Sequence, residues 1–127
     1  MVAKPIDIGG DVAISKTPMD VQTAQRVVTS QANTAIADSF LARLQQKSSP
    51  VPGQVTSLLL ALKVLHEHFK AAQKLDRDLA YALHQLAYEG RQYYEQGKQA
   101  NVEWPLLLDT DLERIAVAVT QIFKGDA

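Results

Sequence analysis

The chain has 127 residues, the size of one ordinary domain, and is 46% hydrophobic and 21% charged, a balance that supports a single core. Thirteen Lys and Arg against fourteen Asp and Glu leave a formal net charge of −1, which excludes the strong positive field of a protein held to nucleic acid chiefly through phosphates. There is no cysteine, so disulfides, thiolate metal sites and a cysteine nucleophile are excluded as well.

Residues 1–16 contain Pro5, Gly9 and Gly10 and hold no sustained hydrophobic period, which predicts a flexible N-terminal tail ahead of a helical domain over 17–127. Met1 to Ser15 carries one lysine and no apolar run of signal-peptide length, so a cytoplasmic location is expected. The longest apolar stretch, Leu58 to Leu62, is far too short to span a bilayer.

The first helix has a readable start. Thr17 can cap, Pro18 suits the first helical position, and Asp20 places a carboxylate near the positive helix end. Val21, Ala24, Val28, Ala32, Ala35 and Ser39 recur at steps of three and four, and Ile36, Phe40 and Leu44 extend that face. Asn33, Thr34, Asp38 and Ser39 favour caps over helix interiors, so the pattern fits either one long helix or a break near 33–38 with Asp38 capping a second, short helix.

Lys47 to Gly53 includes Pro50 and Pro52 and requires a turn. Val55, Leu58, Leu59, Leu62, Leu65 or His66, Phe69 and Ala72 then predict a central helix over 54–73, with Leu60 and Val64 off its stripe. Asp76 is a good cap for a third long helix running to about Gly97 through Leu79, Leu83, Leu86, Gly90 and Tyr93, with Tyr81, Tyr88 and Tyr94 on its flank. Lys98 to Leu108 reads as a packed loop carrying Trp104 and Pro105, its run Leu106 to Leu108 lying against the core. Thr110 and Glu113 match a capping box for a last helix over 110–124, with Leu112, Ile115, Ala116, Val119, Ile122 and Phe123 on one face and Gly125 after it. The expected fold is all-α: an antiparallel bundle of four to five helices, nucleated by the hairpin of the two central helices.

Chemistry is sparse. His66 and His68 flank Glu67, but residues two apart on a helix point in nearly opposite directions, and a local two-histidine metal motif needs a spacing of four. His66 with His84 across the hairpin, aided by Glu67 or Glu89, is the remaining metal arrangement, set against ordinary surface histidines. Neither Gly9-Gly10 nor Pro52-Gly53 is followed by the lysine and hydroxyl of a phosphate loop. Asp76 with Asp78, and Asp109 with Asp111, sit at helix starts, where capping accounts for them. No catalytic residue, cofactor or metal is predicted. Lys63, Lys70, Lys74 and Arg77 share one side of the central helix and its exit, a basic patch for a weak nucleic-acid contact or simply a solvated face.

Two segments carry a resemblance: Pro50 to Val64, PVPGQVTSLLLALKV, and Val102 to Phe123, VEWPLLLDTDLERIAVAVTQIF. They resemble a family of small uncharacterised cyanobacterial all-helical proteins, over about residues 19 to 124. Some chains of this kind carry the label dethiobiotin synthetase, an α/β enzyme class built around a phosphate loop, and neither feature is present in this sequence. The resemblance transfers no functional residue.

The functional expectation is a non-catalytic helical protein acting by association, with itself or with a larger cytoplasmic complex. Trp104, Pro52, Leu60, Val64 and Tyr94 form the candidate partner surface, because they supply more apolar and aromatic surface than a small bundle requires. Trp104 is also readable as a lid over the core. The alternative is a small-molecule-binding regulator or enzyme with an interhelical pocket near Trp104 and Tyr93.

Overall fold

The computed structural model describes residues 19–125. The predicted N-terminal tail, Thr17 and Pro18 lie outside the described residues. Within them the chain is helical: α1 (Val21–Gln31), α2 (Phe40–Gln45), α3 (Gln54–Phe69), α4 (Arg77–Gln99) and α5 (Leu108–Lys124). None of these helices is long and apolar enough to cross a membrane.

Asp20 is the N-cap of α1 rather than its third residue. Its extended backbone turns the carboxylate back onto the Thr23 N–H, 2.7 Å away. Ala24, Val28 and Ala32, spaced by four, put one apolar face into the core. After Gln31 the chain breaks, which resolves the choice left open by the sequence in favour of two helices. The cap of α2 is Ser39 and not Asp38. Ser39 Oγ accepts from the Ala42 N–H at 3.1 Å while donating to the Asn33 carbonyl at 2.8 Å, so one buried hydroxyl both ends the connection and starts the helix. Asp38 stays exposed, loosely paired to Arg43 at 3.8 Å.

The turn before α3 uses Gly53 at φ 84, a left-handed backbone that glycine adopts without steric cost. Leu58, Ala61, Leu62 and Leu65 face inward. The helix ends at Phe69, one turn before the predicted residue 73. Residues 70–75 contain no helix breaker, but they must carry the chain past the end of α5, where Leu75 shares a groove with Ile122 and Phe123, and that tertiary demand overrides propensity. Asp76 caps α4 through the Leu79 N–H at 3.1 Å, as its side-chain chemistry predicts.

α5 begins at Leu108, so the Thr110 and Glu113 capping box does not form. The Leu108 N–H bonds the Pro105 carbonyl at 3.0 Å, a tight turn that starts the helix two residues early and leaves Thr110 inside its first turn with no side-chain cap at the start. The same turn overturns the placement of Leu106 to Leu108: only Leu108 is buried, whereas Leu106 is 95% and Leu107 67% exposed.

The tertiary order also differs from the expected hairpin nucleus. α1 packs against α3 and α4, α5 packs against the same two helices, and α2 packs on α4. Consecutive α3 and α4 make no extended contact; they occupy opposite corners, with α1 and α5 filling the other two. Alternate large and small side chains permit this, since Ala24, Ala32, Ala61 and Ala82 lie in the same core as Phe40, Leu62, Leu65 and Leu83.

Candidate functional site

Three places on the surface combine unusual exposure with defined geometry. The first is a groove of about 480 Å³ between the start of α1 and the middle of α3, lined by Met19, Val21, Leu60, Lys63, Val64, Glu67 and His68. It exists because Leu60 and Val64 point away from the inward face of α3 toward a short helix whose first residues do not reach across them. Leu60 remains 43% exposed, while Val64 is half-buried against the core edge. Glu67 is engaged by Lys70 at 3.2 Å; Lys63 and His68 are exposed on the rim.

The second is the end of α4 and the connection to α5. Trp104 lies 6.0 Å from Tyr94, ring to ring and nearly parallel, and its Nε1–H donates to the Tyr94 carbonyl at 3.0 Å. Gly97 is the floor of this seat: a Cβ at that position would fall 2.3 Å from Trp104 Cζ2, closer than any real contact. Arg91 sits over the Tyr94 ring at 5.2 Å and bonds Asp109 at 2.7 Å, tying α4 to the first turn of α5. Lys98 approaches the same ring at 5.6 Å. Trp104 is half-buried and packs against the core edge. Neither Trp104 nor Tyr93 lines the groove between α1 and α3.

The third was not legible in the sequence. Gln54 Nε2 donates to Gln31 Oε1 at 2.9 Å and to the Asp38 carbonyl at 2.8 Å, while its Oε1 accepts from the Val51 N–H at 3.0 Å. Gln31 Oε1 also accepts from the Phe40 N–H at 2.7 Å, so two glutamine side chains fasten the end of α1, the start of α2 and the turn before α3. Glutamine recurs throughout this sequence, and nothing local distinguishes these two from the exposed ones.

The remaining candidate residues scatter. Pro52 is exposed in the turn before α3. The basic residues do not share one helix face, because α3 ends first: Lys63 borders the apolar groove, Lys70 is the C-cap of α3, Lys74 lies beside the end of α5, and Arg77 opens α4. His66 and His84 stand on the two helices that occupy opposite corners, and His84 stacks on Tyr88 with centroids 5.3 Å apart. Among the described residues no three His, Asp or Glu side chains converge as metal ligands would.

Two ionisations are displaced. The Thr23 backbone N–H, with its hydroxyl, holds the Asp20 carboxyl below its ordinary range. Partial burial, reinforced by the negative charge of Glu89, raises the Tyr93 phenol above its usual value.

These features define a small helical domain with one apolar groove and one rigid aromatic corner. Compared with family models, curated proteins and solved structures, the chain matches none.

Proposed function

We propose that this chain is a non-catalytic protein, an antiparallel helical bundle that works in the cytoplasm through protein–protein association. The observation that carries the reading is the apolar surface left open on an otherwise well-filled core: Leu60 in its groove, and Leu106 with Leu107 on the turn before α5. Such side chains are the ones a partner would bury; charged side chains rim the Leu60 groove, and Leu106 and Leu107 follow the aromatic Trp104 in the chain, features of the kind found at interfaces. Size-exclusion chromatography with light scattering, together with affinity capture from the native cell, tests it. A strict monomer that captures nothing ends the proposal.

A second reading rests on the same groove. Its volume falls within the range of roughly 300–1,000 Å³ that holds small ligands, and its floor is apolar with a few polar groups at the edge, as a small-molecule regulator requires. A thermal-shift screen separates the two, because a ligand that binds only the folded chain raises its melting temperature.

A further inference from the structure

Leu106 and Leu107 project from a turn that is held on both sides. Before them, Trp104 is fixed by its hydrogen bond to Tyr94 and its seat on Gly97; after them, the Leu107 carbonyl accepts the Asp111 N–H at 2.8 Å and Asp109 is held by Arg91. Two leucines so exposed, yet presented by an ordered turn, form a preorganised apolar knob, and preorganisation lowers the entropy lost on docking. The groove between α1 and α3 is the matching concavity: apolar, of a size for a few side chains, and open.

Within one chain the knob does not line the groove. The groove runs from Leu60, near the middle of α3, toward the end of that helix, which shares a second groove with Ile122 and Phe123 at the end of α5. The knob precedes the first residue of α5, and that helix of 17 residues spans about 25 Å at 1.5 Å per residue. Their rims are complementary in charge. Lys63 borders the groove, with Glu67 occupied by Lys70; Glu103 stands beside the knob, with Asp109 occupied by Arg91 and Asp111 by Arg114, so the complementary pair is Lys63 with Glu103. We infer that the occupant of the groove is the Leu106–Leu107 knob of a second copy of this chain, in a head-to-tail contact. This deepens the association reading and rests on it. A knob and a groove on different ends make a heterologous interface, which propagates as an open chain or closes as a ring.

The test uses the full chain with exposed-site variants whose fold is verified by circular dichroism. Leu60→Lys blocks the groove, and the double change Leu106→Asp with Leu107→Asp removes the knob. Sedimentation across a concentration series is expected to show wild-type mass growing with concentration and each variant remaining at one chain. An equimolar mixture of the two variants retains one intact knob and one intact groove, so it is expected to form a species of two chains that grows no further. If the variants associate as the wild type does, this contact is wrong although association stands. A wild type that remains one chain to its solubility limit overturns the contact outright, leaving capture of another protein to decide the association reading. If association begins only when Val12 and Ile14 are changed to Asp, the chain's own preceding segment fills the groove and the inference is also overturned.

Discussion

Replacing Gly97 with alanine tests the aromatic corner more sharply than removing the tryptophan does, because two effects of opposite sign compete. In a helix, Gly→Ala gains up to about 1 kcal/mol of propensity. Here the added methyl would stand 2.3 Å from Trp104 Cζ2 and 2.7 Å from Cε2 and Nε1, and the indole is a rigid plane that cannot flex out of the way. It must leave its seat, which gives up the hydrogen bond to Tyr94, about 1 kcal/mol net, and the ring stack, about 0.5–1.5 kcal/mol. Lost burial of a large aromatic face, at about 25 cal/mol per Å², adds about another 1 kcal/mol for some 40 Å² uncovered. The net expectation for Gly97→Ala is therefore a loss of about 2 kcal/mol, read by chemical denaturation. In a Trp104→Ala background the clash is gone and only propensity remains, so the same substitution is expected to stabilise by up to about 1 kcal/mol, a coupling of about 3 kcal/mol between contacting sites. Trp104 is the only tryptophan, so its emission reports its position alone and is expected to shift to the red in Gly97→Ala. A Gly97→Ala protein as stable as wild type, with unchanged emission, would refute the seat.

Three further outcomes follow from local geometry. Lys47 sits at φ 65 as the left-handed residue after α2, with the Ser48 N–H bonded to the Arg43 carbonyl at 2.8 Å, so Lys47→Gly keeps the motif without the Cβ penalty and is expected to stabilise by about 0.5–1 kcal/mol in urea unfolding. Gln54→Ala deletes three hydrogen bonds of the staple and is expected to cost about 1–3 kcal/mol in the same assay, whereas Gln92→Ala on the exposed face of α4 is expected to change stability by less than about 0.5 kcal/mol. Asp20 has a carboxyl lowered on folding, so its charge stabilises the fold fully above its ordinary value of 3.8, and this contribution is lost as pH falls through the lower folded value; Asp20→Asn retains a cap but is expected to flatten that acid-side loss in thermal melts recorded from pH 7 downward.

Helix identity was legible wherever one physical rule acted alone. The four-residue spacing of Ala24, Val28 and Ala32, the carboxylate of Asp76 and the stop at Gly125 each specify local structure with no help from the rest of the chain. Local rules misplace a helix start where two signals compete. Ser39 and Asp38 are both good caps, and Ser39 prevails because its hydroxyl can donate as well as accept, which satisfies the Asn33 carbonyl from a buried position where a carboxylate could not. Thr110 was a sound cap on paper, but Pro105 offers its carbonyl to Leu108 first and starts the helix before Thr110 is reached. Pairing of the helices lay beyond any local rule. A short connection suggests that neighbours in sequence are neighbours in space, yet residues 70–75 cross the end of α5 and set α4 opposite α3.

The candidate surfaces divide along the same line. Leu60 and Val64 could be recognised as surplus because a stripe of defined width leaves them out, but a surplus leucine becomes a groove only when a second helix stops short beside it, and α1 begins at Val21. Trp104 could be singled out by residue type, while its seat required knowing that the residue beneath it lacks a side chain. The signal was present in the sequence, if faint. Asn101 accepts the left-handed backbone at φ 65 that ends α4, the Val102 N–H returns to the Gly97 carbonyl at 2.8 Å, and a chain that doubles back there must pass over whatever face Gly97 presents. A glycine inside a helix, an asparagine four residues later and a tryptophan three beyond that therefore form one device, in which the cost of the glycine to the helix is offset by the indole it receives. That device holds the Leu106–Leu107 turn in place, so two of the most exposed apolar side chains among the described residues depend for their presentation on the closely fitted contact between Trp104 and Gly97.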